Sequence, residues 1–157
     1  MADLIIRRAV PADIPDIRAL TIRAYTKWIE VTPRPPRPMT ADYDQAFAEH
    51  RYDLLVDEGQ LIGLIETVPQ DRELMIVNVA ITPERQGEGH GTRLMRHAEN
   101  LALSWGLPAC RLYTNKLMVS NITLYERLGY VFEKETHHDL GTIAVHMIRT
   151  LTSEQVS

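Results

Sequence analysis

The stretch "ITPERQGEGHGTRLMRHAENLALSWG" (residues 81–106) contains the densest glycine cluster of the chain, immediately before a segment with helical character. Gly87, Gly89 and Gly91 occupy alternate positions. Glycine accepts backbone conformations and close approaches that a Cβ would prevent. The first N–H groups of a helix have no partner within the helix and lie at the positive end of its dipole. A loop of this composition at a helix start is therefore a candidate anion site.

Two common phosphate motifs do not fit this loop. A P-loop ends in Gly-Lys-Ser/Thr, whereas Gly91 is followed by Thr92 and Arg93. A dinucleotide fingerprint needs the spacing G-x-G-x-x-G, whereas the spacing here is G-x-G-x-G. Spacing alone leaves two interpretations open: a phosphate-binding loop, and a glycine-rich entry turn into a helix.

The bulk composition is that of one ordinary globular domain. The chain has 157 residues, of which 45% are hydrophobic and 24% charged. The net charge of −4, without a run of like charges, argues against a nucleic-acid surface, which would need a basic stripe. The single cysteine, Cys110, excludes a disulfide within the chain and fits a reducing compartment. With no apolar run long enough for a signal or membrane helix, we expect a cytoplasmic protein without membrane contact.

Hydrophobic periodicity predicts the element order β-α-α-β-β-β-α-β-α-β-β. Strand–helix–strand units in the second half imply parallel pairing, and consecutive hairpins imply antiparallel pairing elsewhere, so a mixed sheet with helices on both faces follows. Thr40 and Ser120 are the expected N-caps of the second and fourth helices. The predicted strands are 4–10, a hairpin within 52–68, 73–81, 109–115, 130–138 and 142–150, and the predicted helices are 11–29, 41–50, from the glycine loop to about 105, and 120–129.

The stretch "VAITPERQGEGHGTRL" (79–94) resembles the acyl-CoA pyrophosphate motif of the GNAT superfamily of N-acetyltransferases, Q/R-x-x-G-x-G/A, through Gln86, Gly89 and Gly91. Further along, "NITLYERLGY" (121–130) resembles the late helix of that family and the strand after it. Either motif alone would be a weak signal, but both occur here in the family's order. The predicted element order also resembles the family's fold over nearly the whole chain.

The resemblance implies an α/β (α+β) fold: a mixed, mostly antiparallel sheet of about six or seven strands flanked by about four helices. It implies one N-acetyltransferase domain over residues 1–157, with a core at about 3–150. The co-substrate would be acetyl-CoA, with no metal, and the acceptor a primary amine of a small molecule or peptide. Homodimers are common in such proteins, and neither nucleic acid nor a membrane is an expected partner.

The resemblance also assigns individual residues to acetyl-CoA and to the leaving group. The backbone of Val79, Ala80 and Ile81 would bind the pantetheine arm, and Asn121 would face it. Tyr125 would donate a proton to the departing thiolate, since a phenol and a thiol have comparable reference pKa values. The N–H groups that would hold the pyrophosphate are those of Gln86, Gly87, Glu88, Gly89, His90, Gly91 and Thr92.

The base that removes the amine proton is harder to assign. Many family members place a carboxylate on the central strand, but "LMIVNVAI" (74–81) has none. Glu66, on the preceding strand, is the first candidate for the base, although it could also be only an exposed strand residue. Glu73 is a weaker candidate, and Asn78 could only position a water. For the acceptor pocket we expect Trp28, the proline loop 33–38, Met39 and Tyr43.

Structural roles remain open for several of these residues. Asn121 could be only a helix cap, and Tyr125 only a half-buried anchor. Cys110 is expected to be a buried structural residue, His137 and His138 to lie at a surface strand end, and the histidines show no metal-binding spacing. Two rival functions are a non-catalytic acyl-CoA sensor, suggested by the absent strand carboxylate, and a simple nucleotide- or phosphate-binding module.

Overall fold

A seven-stranded sheet with the order β1-β2-β3-β4-β5-β7-β6 forms the centre of the protein in the computed structural model, which describes residues 4–32, 39, 42–138 and 141–152. Every neighbouring pair of strands is antiparallel except β4 and β5, which run parallel. The mixed, mostly antiparallel sheet and its predicted element order are confirmed. The strands are β1 Leu4–Arg8, β2 Arg51–Asp57, β3 Gln60–Pro69, β4 Leu74–Ile81, β5 Ala109–Asn115, β6 Val131–His137 and β7 Ile143–Thr150.

Four α-helices of the described residues cover the two faces of this sheet. They are α1 Ile14–Tyr25, α2 Tyr43–Glu49, α3 His90–Ser104 and α4 Val119–Arg127. Helices α3 and α4 pack on one face, around the fully buried Leu94 and Met95. Helices α1 and α2 pack on the other face, around Ile17 and Tyr43. Apolar side chains from both faces of the sheet are therefore removed from water, as a two-sided layered fold requires.

The turn between β2 and β3 follows the chemistry that its sequence predicts. Glu58 and Gly59 both have left-handed backbone, with φ of 51° and 82°. A two-residue hairpin turn with positive φ at both positions matches the twist of its strands. Glu58 is the one non-glycine residue with positive φ in the described part of the chain.

The predicted helix boundaries need three corrections. Helix α1 ends at Tyr25 and continues only as a 3-10 turn, Thr26–Trp28, rather than as α-helix to residue 29. Asp42, not Thr40, caps α2, and its side chain accepts a hydrogen bond from the Gln45 N–H. Ser120 lies inside α4, which starts one residue earlier because the buried Met118 folds the chain into a turn there.

The buried face of α3 includes a charged residue. Leu94 and Ala98 are fully buried, but Trp105, just after the helix, is 41% exposed and lies against the Arg51 guanidinium. The core instead receives Met95, Glu99 and Ala102 from this helix. A glutamate on a helix is normally expected to be exposed to solvent, so the pattern of hydrophobic residues does not predict that Glu99 is buried.

Glu99 is held in the core by three donors from different elements. It is fully buried, and it accepts hydrogen bonds from Arg96 at 2.7 Å and from the Tyr130 hydroxyl at 2.9 Å. Arg149 of β7 donates to the same carboxylate. Arg96 also contacts the Leu128 carbonyl at the end of α4. The carboxylate therefore joins α3, β7 and the end of α4.

Replacing Glu99 by alanine is expected to destabilise the fold by about 3–5 kcal/mol, because two guanidinium groups would lose their buried partner. Chemical denaturation monitored by circular dichroism measures this change. Glu84→Ala is the matched control, since Glu84 also pairs with an arginine, Arg23, but lies exposed at the surface. Equal stability of the two variants would contradict a structural role for the Glu99 cluster.

Candidate active site

The sheet opens between β4 and β5, where the two strands diverge. They pair only from Leu74 and Cys110 to Ile76 and Leu112. Beyond this point β4 stays paired with β3 as far as Ile81, while β5 stays paired with β7 along its whole length. The second half of β4 therefore has an edge without a strand partner in the described residues. Ligands of sheets with parallel strands commonly bind at such a divergence.

Helix α3 begins at the mouth of this opening. Gly89 is its N-cap residue, with φ of 86°, and no side chain caps the helix. Gly87 has φ of 83°, so both glycines adopt backbone that other residues rarely adopt. Gly91 is different: its backbone is helical, and a Cβ built on it would meet no heavy atom within 4 Å. The uncapped N–H groups of the first turn can therefore approach an anion without obstruction.

The acidic residue within the glycine loop is neutralised by its neighbours. Glu88 accepts a hydrogen bond from Arg85 at 2.8 Å and contacts His90 at 2.9 Å. These two contacts, with Arg85 contributing most, hold the pKa of Glu88 below its usual value. Arg85 also reaches Asp57 on the β2–β3 hairpin at 3.0 Å, so the loop is tied to the sheet. The Glu88 carboxylate is therefore paired with the Arg85 guanidinium beside the start of α3.

A cleft of about 360 Å³ joins the open strand edge, the glycine loop and the start of α4. Eleven of the residues predicted to contact acetyl-CoA or its thiolate, and Trp28 from the predicted acceptor set, line it. Those residues are Val79, Ala80, Ile81, Gln86, Gly87, Gly89, His90, Gly91, Thr92, Asn121 and Tyr125. Residues up to 46 positions apart in the sequence therefore line one cleft, as the two motifs predict. The chemical roles of these residues remain predictions.

Several predicted site residues, Met39 and Asn78 among them, are not among those lining the cleft. Glu88 points to Arg85 and His90, Tyr43 is buried beneath α1 with the Arg18 guanidinium over its ring, and Glu66 is buried within β3. Glu73 binds Arg111 at 2.7 Å near the start of β4, at the opposite end of the strand from the glycine loop. The proline loop 33–38 lies outside the described residues.

Tyr125 stands where α4 borders the cleft. It is only 8% exposed, and burial raises the pKa of its hydroxyl to about 12. Its ring meets the ring of Tyr130 edge-on, with centroids 6.3 Å apart. A phenol with this pKa keeps its proton throughout the neutral range, so the group can serve as a proton donor inside the cleft.

A buried polar cluster lies behind the cleft on the α1 side of the sheet. Tyr25, which lines the cleft, donates a hydrogen bond to the Asn78 Oδ1 at 2.6 Å. Asn78 is paired across the strands with Glu66, and Glu66 contacts the Nδ1 of His50. A buried carboxylate, that of Glu66, thus lies one strand away from the middle of β4, beside Asn78.

Sequence reasoning missed several residues of this site. Lys27 lines the cleft, contacts the Gln86 side chain at 3.1 Å and lies over the Trp28 ring. Arg85 and Tyr25 also line the cleft. Arg85 directly precedes Gln86, the glutamine of the motif, so its position in the sequence could have identified it as a site residue. Lys27 and Tyr25 come from the end of α1, and no spacing in the sequence connects that helix with the glycine loop.

The remaining reactive side chains lie outside the cleft. Cys110 is fully buried, and burial raises the pKa of its thiol to about 12, as expected for a structural cysteine. His137 ends β6 with an exposed side chain. The described residues contain no group of three or more histidine, cysteine or acidic side chains arranged to hold a metal ion. None of their helices is both long and apolar enough to cross a membrane.

Replacing Arg85 by glutamine is expected to weaken acetyl-CoA binding about 5- to 10-fold, because the cleft loses a cation and the Glu88 carboxylate loses the group that neutralises it. Isothermal titration at low and high salt measures this, and the loss should shrink at high salt. Arg72→Gln removes the same charge from the exposed loop before β4 and should bind as the wild type does. An unchanged acetyl-CoA affinity in Arg85→Gln would contradict a contribution of the Arg85 charge to binding.

Comparisons with known proteins agree with this architecture. The acetyltransferase (GNAT) family matches residues 14–130. The ribosomal-protein-S18-alanine N-acetyltransferase of Escherichia coli superposes with a TM-score of 0.74 at 20% identity, covering 98% of this chain and 99% of that one. No curated protein matches the chain by sequence.

Two further structures share the fold and hold a coenzyme. The PaiA N-acetyltransferase of Thermoplasma acidophilum, in complex with coenzyme A, has a TM-score of 0.70 at 16% identity, over 95% of this chain and 99% of that one. A GNAT family acetyltransferase of Elizabethkingia anophelis, with acetyl-CoA bound, has a TM-score of 0.70 at 15% identity, over 95% and 99% of the two chains. At these identities the likeness establishes the shared fold.

Proposed function

Because the chain belongs to the acetyltransferase (GNAT) family, we propose that it transfers an acetyl group from acetyl-CoA to a primary amine of a small molecule or peptide. One observation carries the proposal: a single cleft contains an uncapped helix start, an open strand edge and a protonated, buried tyrosine. Two structural neighbours, from T. acidophilum and E. anophelis, hold coenzyme A and acetyl-CoA. We further propose that residues 1–157 form one such domain, with a core at about 3–150.

The charge and the shape of the cleft support this proposal. The pyrophosphate would rest on the first N–H groups of α3, near His90 and Gly91, with Lys27 and Arg85 supplying positive charge. The pantetheine arm would lie along the open edge of β4, where backbone groups of Val79 to Ile81 would bind its amides in the manner of an added strand. The Ile81 carbonyl at this edge accepts a hydrogen bond from the Gln86 side chain at 3.0 Å, which the arm would replace. This places the thioester between β4 and Tyr125.

The chemistry would be a direct transfer. The neutral amine attacks the thioester carbon, the carbon–sulfur bond breaks, and Tyr125 gives its proton to the departing sulfur. A backbone N–H of β4 would polarise the thioester carbonyl. The amine nitrogen must lose one proton, and we assign its receipt to Glu66, which lies beside Asn78 behind the cleft, through a water held by Asn78. Cys110 takes no part, since its thiol is buried and protonated.

Coenzyme A release measured with a thiol reagent tests this proposal on a panel of amines: an amino acid, a polyamine, an aminoglycoside and a peptide with a free N-terminus. We expect release with at least one acceptor, and a mass increase of that acceptor by one acetyl group. Acetyl-CoA binding without release on any amine would favour an acyl-CoA sensor. Equal binding of ADP and acetyl-CoA would favour a general phosphate-binding module.

A further inference from the structure

Glu66 and His50 form a hydrogen-bonded pair that no sequence motif predicts. The Glu66 residue is 6% exposed, and its Oε2 contacts the Nδ1 of His50. His50 is the only ion-pair partner that the described residues offer to this carboxylate. Burial of a charge is costly unless it is well paired, so the contact with His50 matters for keeping a carboxylate at this position.

Polar side chains connect this pair to the cleft. Tyr25 lines the cleft, and its hydroxyl donates to the Asn78 Oδ1 at 2.6 Å. Asn78 is 4% exposed, and its Nδ2 has no hydrogen-bond partner among the described residues. Since Asn78 is the cross-strand partner of Glu66, their side chains lie on one face of the sheet, within about 5.5 Å at Cβ. A series of four polar side chains therefore runs from the cleft across one face of the sheet: Tyr25, Asn78, Glu66 and His50.

His50 is placed to connect Glu66 with water. It is the C-cap residue of α2, where its backbone N–H bonds to the Ala46 carbonyl at 2.8 Å. Its side chain is 26% exposed, whereas that of Glu66 is 7% exposed. The Nδ1 edge of the imidazole therefore contacts the buried carboxylate, while part of the ring is exposed to solvent.

The other groups around Glu66 are neutral phenols. Tyr52 lies opposite it on β2, Tyr43 approaches from α2, and Tyr25 approaches from α1. Burial first, and then the Glu66 charge among other neighbours, raises the pKa of each of these hydroxyls. A phenol that keeps its proton is a poor base, so none of the three is suited to take the amine proton, and the imidazole of His50 is the remaining group that contacts Glu66.

We propose that Glu66 accepts the proton of the acceptor amine and that His50 passes it on to solvent. In the first step an amine N–H bond breaks, a water held at the unpartnered Nδ2 of Asn78 takes that proton and gives up one of its own, and an O–H bond forms on Glu66. In the second step that O–H bond breaks, an N–H bond forms at the His50 Nδ1, and the proton on Nε2 leaves to water. His50 is thus a positioning and relay residue, not one that touches the substrate. This inference rests on the proposed acetyl transfer and adds the route by which its proton departs.

The test compares two acceptors of similar size: a basic alkylamine, which is protonated at pH 7, and a weakly basic alkoxyamine, which is neutral there. His50→Asn keeps a hydrogen-bonding group near the Nδ1 position but cannot relay a proton. We expect kcat/KM for the alkylamine to fall about 10- to 100-fold, and kcat/KM for the alkoxyamine to stay within about twofold. Glu66→Gln should show the same selectivity. Glu49→Gln, exposed at the end of the same helix, is the matched control and should change neither value.

Equal losses with both acceptors would overturn the relay, because they would indicate a structural role. Unchanged rates with both acceptors in His50→Asn would overturn it too. If His50→Asn does not fold, His50→Ala assayed with and without added imidazole replaces it, and imidazole should restore the alkylamine reaction alone. If the wild-type protein does not release coenzyme A with any of the amines tested, the proposed function itself is refuted.

Discussion

Replacing Tyr125 by phenylalanine is expected to lower kcat for acetyl transfer about 100-fold while the KM for acetyl-CoA changes by no more than about twofold. The phenyl ring keeps the edge-on contact with Tyr130 and the packing of α4. Only the hydroxyl is lost, and with it the proton for the thiolate. A loss confined to kcat is the sign of an interaction made in the transition state.

Steady-state kinetics with the best acceptor of the amine panel measures this effect. Tyr113→Phe is the control, because Tyr113 is 39% exposed on β5 and does not line the cleft. Wild-type kcat in Tyr125→Phe would remove the acid role from this residue. A large rise in KM with kcat unchanged would assign it to binding instead.

Replacing Gly91 by tryptophan is expected to weaken acetyl-CoA binding by about 100-fold or more, which corresponds to nearly 3 kcal/mol. Gly91 lines the cleft in helical conformation, and a Cβ there meets nothing within 4 Å, so the indole has room to enter the space for the pyrophosphate. The helix itself should tolerate the change, since glycine within a helix costs about 0.5–1 kcal/mol relative to alanine.

Gly91 is a better probe than the two glycines before it. Gly87 and Gly89 have positive φ, so any side chain there would strain the backbone and confuse a binding loss with a folding loss. Isothermal titration of Gly91→Trp against Asn100→Trp provides the comparison, since Asn100 is exposed on α3 outside the cleft. Tight acetyl-CoA binding by Gly91→Trp would place the pyrophosphate elsewhere.

The sequence predicts most of this fold because local signals and tertiary needs agree. Strand β5 was predicted with its bounds, Ala109–Asn115, since a short segment with apolar and aromatic side chains follows the Gly-Leu-Pro turn after α3. The hairpin around Glu58 and Gly59 was equally clear, because its turn type requires positive φ. Caps were less predictable: Thr40 and Asp42 are both good capping residues, and tertiary packing decides which one begins α2.

The candidate site was only partly predictable for a related reason. The glycine loop and α4 each carry their signal in consecutive residues, so the positions of Gln86 to Thr92 and of Tyr125 could be proposed together. Lys27, Tyr25 and His50 carry no such signal. Their position depends on how α1 and α2 pack over β3 and β4, which is a property of the assembled core.

The thermal unfolding of the wild-type protein with acetyl-CoA tests most directly whether this cleft is an acetyl-CoA site, with ADP as the comparison ligand. A ligand that binds only the folded state adds about 2.7 kcal/mol of stability at 100 times its Kd, which raises the Tm of a domain of this size by about 5–10 °C. We expect that shift with acetyl-CoA and a much smaller one with ADP. An unchanged Tm at millimolar acetyl-CoA would contradict the proposed acetyl-CoA site and, with it, the acetyl transfer.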